Sequence, residues 1–140
     1  MELTMSLIEF PFVLQVVNGQ KSQTYMDASP TIGGKNKGMR PMELLTASLA
    51  GCLSIDLLSV LKKQRQVVQF FEVNIQAIRS NQIPAVLESV QLRFTVNQEV
   101  DLIKAERALE LSFQKYCSVA HSLHPAISIQ TSIIHQNDNF

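Results

Sequence analysis

The chain has 140 residues, 46% of them apolar, and its twelve basic side chains are balanced by twelve acidic ones. That length sets an expectation of one domain over 1–140, built on one core. Zero net charge removes the footprint expected of a nucleic-acid binder or of a protein held on an anionic membrane surface, so neither is an expected partner.

No apolar run approaches the about 18–20 residues of a membrane span. The stretch from Phe10 to Val17 is short and interrupted by Gln15. Glu2 and Glu9 stand where a secretory signal carries Lys or Arg. A cytoplasmic location is the default expectation. In that reducing setting two cysteines are free thiols, a redox pair or metal ligands before they are a structural disulfide.

In chain order, Phe10 to Val17 reads as a strand, Asn18-Gly19 as a hairpin signal and Lys21 to Met26 as the returning strand. A loop rich in Gly, Lys and Asn follows from Ser29 to Gly38, of a length often associated with mobility and function. Pro41 suits the first turn of a helix and Glu43 its positive dipole end. The helix runs from Met42 to about Lys63. Leu45, Ser48, Leu49, Cys52, Ile55, Asp56 and Ser59 share one broad face, but most other positions are also apolar or small, which predicts burial on nearly all sides.

Two alternating segments, Glu72 to Ser80 and Val86 to Asn97, read as strands. Asp101 reads as the cap of a second helix reaching about Lys115. A short turn follows Cys117, and Ile127 to Ile134 is the last strand. The order β-β-α-β-β-α-β predicts an α+β fold with antiparallel sheet.

Cys52 lies mid-helix behind Ala47, Ala50 and Gly51. Glycine there costs roughly 1 kcal/mol against alanine, which suggests a packing or access reason. From spacing alone, a small buried hydrophobe is the more ordinary account of Cys52. Cys117 opens a turn, where free N–H groups push a thiol toward thiolate. His121 and His124 follow, giving a metal reading with Cys117 and Cys52, although Cys-x3-His-x2-His is not a standard zinc spacing. His135, near the tail, reads as solvated.

Three stretches carry a family resemblance. Arg40-Pro41-Met42-Glu43-Leu44-Leu45, Ala47-Ser48-Leu49-Ala50-Gly51-Cys52 and Ile55 to Lys63 resemble the cysteine-bearing helix of the OsmC/Ohr family. Glu110-Leu111-Ser112 with Lys115-Tyr116-Cys117-Ser118-Val119 resembles the segment around that family's second cysteine. The similarity is greatest to the branch with Pro-Met-Glu-Leu and Tyr-Cys-Ser-Val.

The resemblance implies an OsmC-like α+β fold, with antiparallel sheets around a buried cysteine-bearing central helix, in an intertwined homodimer whose active sites lie at the subunit interface. It implies a thiol-dependent peroxidase that reduces organic hydroperoxides in oxidative-stress defence. Cys52 would be the peroxidatic thiol and Cys117 the resolving thiol. It implies no metal and no organic cofactor, and a dithiol reductant, of the dihydrolipoyl type or another cellular thiol.

Two departures bear on the activating groups. Better-known members carry a glutamate directly after the helix-opening proline. Here Met42 holds that place and Glu43 comes one residue later, turned by roughly 100° about the helix. Their activating arginine comes from the N-terminal strands, whereas residues 1–39 contain none. Arg40 is the best substitute, ahead of Lys21, Lys35 and Lys37, because lysine lacks the planar fork. Asp56, one turn from Cys52, would oppose a thiolate if ionised and close, or else bind a cation or cap a backbone. Two alternative functions stay open besides the metal reading: attack on another electrophile such as a disulfide or reactive sulfur species, and non-catalytic binding of an apolar ligand in a dimer cleft.

Overall fold

The computed structural model describes residues 1–137. Beside the single domain expected over 1–140, contacts gather the chain into two compact units, Met1–Leu45 and Thr46–Phe140.

In the first unit, β1 (Leu3–Glu9), β2 (Val13–Asn18) and β3 (Gln23–Met26) form an antiparallel sheet in that order. β1 is absent from the sequence reading, which began its first strand at Phe10. The period-two signal was there, with Leu3, Met5 and Leu7 alternating against Thr4 and Ser6. The Asn-Gly hairpin is also wider than expected. The Asn18 side chain accepts from the Gln20 and Ser22 N–H groups, and the left-handed residue is Lys21, at φ 67°, rather than the glycine.

The loop after β3 is pinned by Asp27. Its buried carboxylate accepts from the N–H groups of Ala28 (2.7 Å), Lys35 (2.7 Å) and Lys37 (3.1 Å). These bonds, the Lys37 bond foremost, hold the carboxyl below the usual aspartate range. Two glycines are required by close approach. A Cβ on Gly34 would stand 1.8 Å from the Ala28 carbonyl oxygen, and one on Gly38 would stand 2.7 Å from the Met26 nitrogen. The composition that suggests a mobile loop thus serves a tightly folded one.

Helix α1 covers Pro41–Lys63, close to the expected range. In the second unit Thr46, Leu49, Ala50, Leu53, Leu57 and Leu61 form its buried stripe, at helical spacing. Ile55 on the far side is 70% exposed, and Ser48 and Ser59 are exposed with it. Burial on nearly all sides, as the composition suggested, therefore does not hold within this chain. Nor does the expectation that no segment nears a span's length: by length and composition alone α1 is long and apolar enough to cross a membrane. Thr46, Ser48, Ser54, Asp56 and Ser59 break the apolar run without lowering its average far. Ser54 is satisfied inside the helix, donating to the Ala50 carbonyl at 2.7 Å.

β4 (Phe71–Arg79) pairs antiparallel with β5 (Leu87–Val96), and β6 (Ser128–His135) joins β5 in parallel. The sheet is mixed where the sequence reading had antiparallel pairing throughout. The core face carries Phe71, Val73 and Ile75 on β4, Val90, Leu92, Phe94 and Val96 on β5, and Ile129 and Ile133 on β6. The opposite face is polar, with Asn74, Arg93 and Ser132 in one row and Gln76, Gln91 and Gln130 in the next. Buried Asn97 closes the end of β5. It accepts from the Gln69 and Phe70 N–H groups and donates to the Val67 carbonyl and to Glu99.

Asp101 caps α2 (Leu102–Leu111), accepting from the Lys104 N–H as expected. The helix does not continue to Lys115 in α form. It widens into a π turn over Ser112–Tyr116, and Cys117 then caps the short helix α3 (Ser118–Ser122).

A two-thiol candidate site

Cys52 sits on α1 at the border between its buried stripe and its exposed stripe, and is half-buried. Cys117 is fully buried between the π turn and α3. Both sulfurs are free, and Cys52 stands close enough to Cys117 to act on its titration. The backbone on either side fixes Cys117. Its N–H donates to the Ser112 carbonyl at 2.8 Å, closing the π turn, and its sulfur accepts from the Ala120 N–H at 3.4 Å.

The electrostatics of Cys117 reverse the expectation from its position. The N–H groups of Ala120 and Val119 do lower its pKa, as a helix start should. Burial outweighs them, reinforced by the hydrogen bond to Cys52 and by that sulfur's charge, and the thiol is pushed up to about 11 from an ordinary 9.0. Cys117 therefore keeps its proton at neutral pH. The stability linkage follows: the unfolded chain releases this proton as pH passes 9.0 while the folded chain holds it to about 11, so folding stability falls with rising pH across that window.

This order predicts selective alkylation. At pH 8 only about one Cys117 in a thousand is thiolate, and it is buried. Iodoacetamide at pH 8 is expected to modify half-buried Cys52 and leave Cys117 intact. Peptide mapping after a timed quench checks this, with Cys117 labelling expected to appear only as the pH approaches 11.

Asp56, one turn along α1 from Cys52, has a specific partner. It accepts from the hydroxyl of buried Ser112 at 2.5 Å. Ser112 extends the buried stripe of α2, Ala105, Ala108 and Leu109, at helical spacing. A polar residue continuing an apolar stripe was the signal by which it could have been found.

Arg40 and Glu43 lie in the first unit, where the Arg40 charge also helps to lower the Asp27 pKa. The Arg40 guanidinium donates to the Asn36 side-chain oxygen (2.6 Å) and the Gly38 carbonyl (3.1 Å). The Arg40 N–H donates to the Glu43 carboxylate at 2.8 Å, so Glu43, third residue of α1, reaches back to cap the helix start. Cys52 and Cys117 are in the second unit.

The histidines are engaged elsewhere. The His121 ring bonds the Gln114 carbonyl, and His124 Nδ1 accepts from the Ala126 N–H. His135, expected to be solvated, is half-buried with Nε2 against the Val100 carbonyl at 2.8 Å. Among the described residues no three His, Cys, Asp or Glu side chains are grouped to hold a metal ion.

Two adjacent free thiols, one half-exposed on a long helix and one buried at a helix cap, within an α+β chain, define a two-cysteine thiol protein. The comparisons place it further. The family model described as OsmC-like protein matches residues 34–132. Protein YhfA of Escherichia coli K12 is 36% identical over 98 residues, covering 69% of this chain and 73% of that one. The chain belongs to the OsmC-like protein family. Solved structures share its fold. An OsmC-like protein from Vibrio cholerae superposes with a TM-score of 0.77 at 20% identity, covering 95% of this chain and 97% of that one. The organic hydroperoxide resistance protein OhrB of Bacillus subtilis gives 0.62 at 14% identity, covering 95% and 96%.

Proposed function

We propose that the protein is a thiol-dependent peroxidase for organic hydroperoxides, with Cys52 as the attacking thiol and Cys117 as the resolving one. The observation that carries this reading is a half-buried Cys52 whose sulfur helps to raise the pKa of a fully buried, protonated Cys117. The Cys52 thiolate attacks one peroxide oxygen and the O–O bond breaks. The alkoxide takes a proton and leaves as an alcohol, and Cys52 is oxidised to a sulfenic acid. Cys117 then gives up its proton and attacks the Cys52 sulfur. The S–O bond breaks, water leaves and a disulfide forms. A dithiol reductant, of the lipoyl type or another cellular thiol, returns the pair to two thiols in a reducing cytoplasm. In this reading Arg40 and Glu43 activate the thiol.

A homodimer belongs to the same proposal. On α1, Ile55 is 70% exposed, and a Cβ built on Gly51, next to Cys52, would meet nothing within 4 Å. The edge strand β1 leaves Leu3, Met5 and Leu7 each more than half exposed. Exposed apolar residues on a mid-chain helix and on a sheet edge fit covering by a second copy. Gly51→Ala supplies a test of this part. The helix gains up to ~1 kcal/mol of intrinsic propensity. If a second backbone approaches at Gly51, the variant nevertheless loses dimer, read by sedimentation velocity, and turnover with it. An unchanged dimer with unchanged turnover would mean that the space beside Gly51 holds only solvent.

The deciding experiment adds one equivalent of cumene hydroperoxide to the reduced protein and weighs the intact chain within seconds. Loss of two hydrogens supports the peroxidase. Two thiols still free after minutes rejects it. The lack of arginine in residues 1–39 favours a second reading, in which the same thiol pair attacks a disulfide or a reactive sulfur species. Loss of two hydrogens with glutathione disulfide or a persulfide, but not with the hydroperoxide, would select that one.

A further inference from the structure

Two rungs join α1 to the segment that carries Cys117. One pairs Cys52 with Cys117, whose thiol is pushed up in part by the Cys52 sulfur. The other is the hydrogen bond from the Ser112 hydroxyl to Asp56. On α1 the two rungs are four residues apart, so they stand one above the other on the same side of the helix. On the other segment they are the first residue of the π turn and the residue that closes it, since the Cys117 N–H donates to the Ser112 carbonyl. Ser112 is thus held twice, by its hydroxyl to α1 and by its carbonyl to Cys117.

We propose that Asp56 and Ser112 are positioning residues: their hydrogen bond clamps the π turn to α1 and so holds Cys117 within bonding reach of Cys52. A disulfide forms only when the two Cα atoms come within about 4.4–6.8 Å, with the side chains suitably aimed. The Cys52 side of that geometry rests on a regular helix. The Cys117 side rests on a five-residue π turn between two helices, an arrangement rare in proteins and held by fewer repeating bonds. A tie from the first residue of that turn to the cysteine helix removes the freedom the turn would otherwise have. Ser112 is only 2% exposed, so its hydroxyl needs a partner in any case, and the partner is the carboxylate one turn from Cys52. This also gives Asp56 a role other than opposing a thiolate: one of its oxygens is engaged by Ser112.

The proposal rests on the thiol pair being redox-active, as in the reading above, but its test needs no peroxide. The chain is equilibrated with glutathione buffers of graded ratio, quenched in acid and weighed. Cys52 thiolate attacks glutathione disulfide, forming a mixed disulfide and releasing one glutathione. Cys117 then loses its proton, attacks the Cys52 sulfur and releases the second. The overall change is a two-electron oxidation of the protein dithiol, and its equilibrium constant measures how well the two sulfurs are held together.

Asp56→Ala and Ser112→Ala are each expected to lower that constant about tenfold, the scale of one lost hydrogen bond to a carboxylate. The glutathione adduct on Cys52 accumulates in both. The double variant falls no further than either single, because both remove the same rung. Asp56→Asn keeps an oxygen that can accept from Ser112 and is expected to stay within about threefold of the native chain. A purely structural bond would lower the melting temperature and leave the thiol equilibrium where it was.

The proposal is overturned if the single alanine variants close the internal disulfide with the native constant, or if their effects multiply in the double variant. Asp56→Ala gains helix propensity at a half-buried position against the cost of leaving the Ser112 hydroxyl unpaired, and together with Asp56→Asn, which keeps an acceptor, it decides the matter should Ser112→Ala fail to fold. A native chain that closes its disulfide with glutathione but not with hydroperoxide leaves the clamp standing and removes the peroxidase. A native chain that closes it with neither removes both.

Discussion

Cys52→Ser is expected to consume no organic hydroperoxide, whereas Cys117→Ser turns over once and stops with a sulfenic acid on Cys52. The asymmetry follows from the unequal surroundings of the two sulfurs. Cys52 is the half-exposed one that a peroxide can reach. Cys117 is fully buried and keeps its proton to about pH 11, so it cannot stand in as the first nucleophile when Cys52 is gone. A serine hydroxyl at position 52 does not attack peroxide at neutral pH. The loss should therefore reach the background rate, a fall of at least about a thousandfold for a nucleophile removed from its site. In Cys117→Ser the first chemical step survives, and a dimedone adduct of one equivalent on Cys52, read by mass, is the expected product. Catalytic turnover by that variant, with an internal reductant absent, would show that an external thiol resolves the sulfenic acid directly. Equal losses in both variants at the first step would mean the roles are not divided as proposed.

The largest expected effect on stability is at the centre of the β4–β5–β6 sheet. Phe94 is 0% exposed on the middle strand, opposite Val73 on β4 and Ile133 on β6. Its ring meets Phe71 edge-on, with centroids 6.1 Å apart. Phe94→Ala removes that contact and leaves a cavity that strands paired on both sides cannot close. The expected cost is about 3–5 kcal/mol. A domain of this size has only about 5–15 kcal/mol in total, so the variant should be close to unfolding at 37 °C. Urea titration followed by circular dichroism checks this through the shift in midpoint. A cost below about 1 kcal/mol would mean that the sheet repacks far more freely than its pairing suggests.

The α+β class, the long helix, the Asp101 cap and five of the six strands were readable from the sequence, because each rests on patterns among residues close in the chain. Pro41 and Glu43 start α1, and Glu43 does so by reaching back to the Arg40 N–H. The alternation along β4 and β5 marks one apolar and one polar face. β1 was missed although Leu3, Met5 and Leu7 alternate, since its side chains stay exposed in this chain and nothing local says what they face. The parallel seat of β6 beside β5 was not readable either, because strand direction depends on how α2, the π turn and α3 carry the chain back, and no local pattern encodes that.

The same division runs through the site. The sequence by itself determined the inventory: two cysteines, one in a helix behind small residues and one at the mouth of a turn, in motifs that resemble the OsmC/Ohr family. It also set Asp56 one helical turn from Cys52, which follows from spacing alone. Tertiary structure decided the rest. It brought Cys52 to bear on Cys117, 65 positions along the chain, gave Asp56 the Ser112 hydroxyl, and reversed the expected shift of Cys117. The reason is physical. A turn's own N–H groups lower a thiol's pKa and are visible in sequence, but burial and a second sulfur raise it, and these exist only once distant segments have packed together.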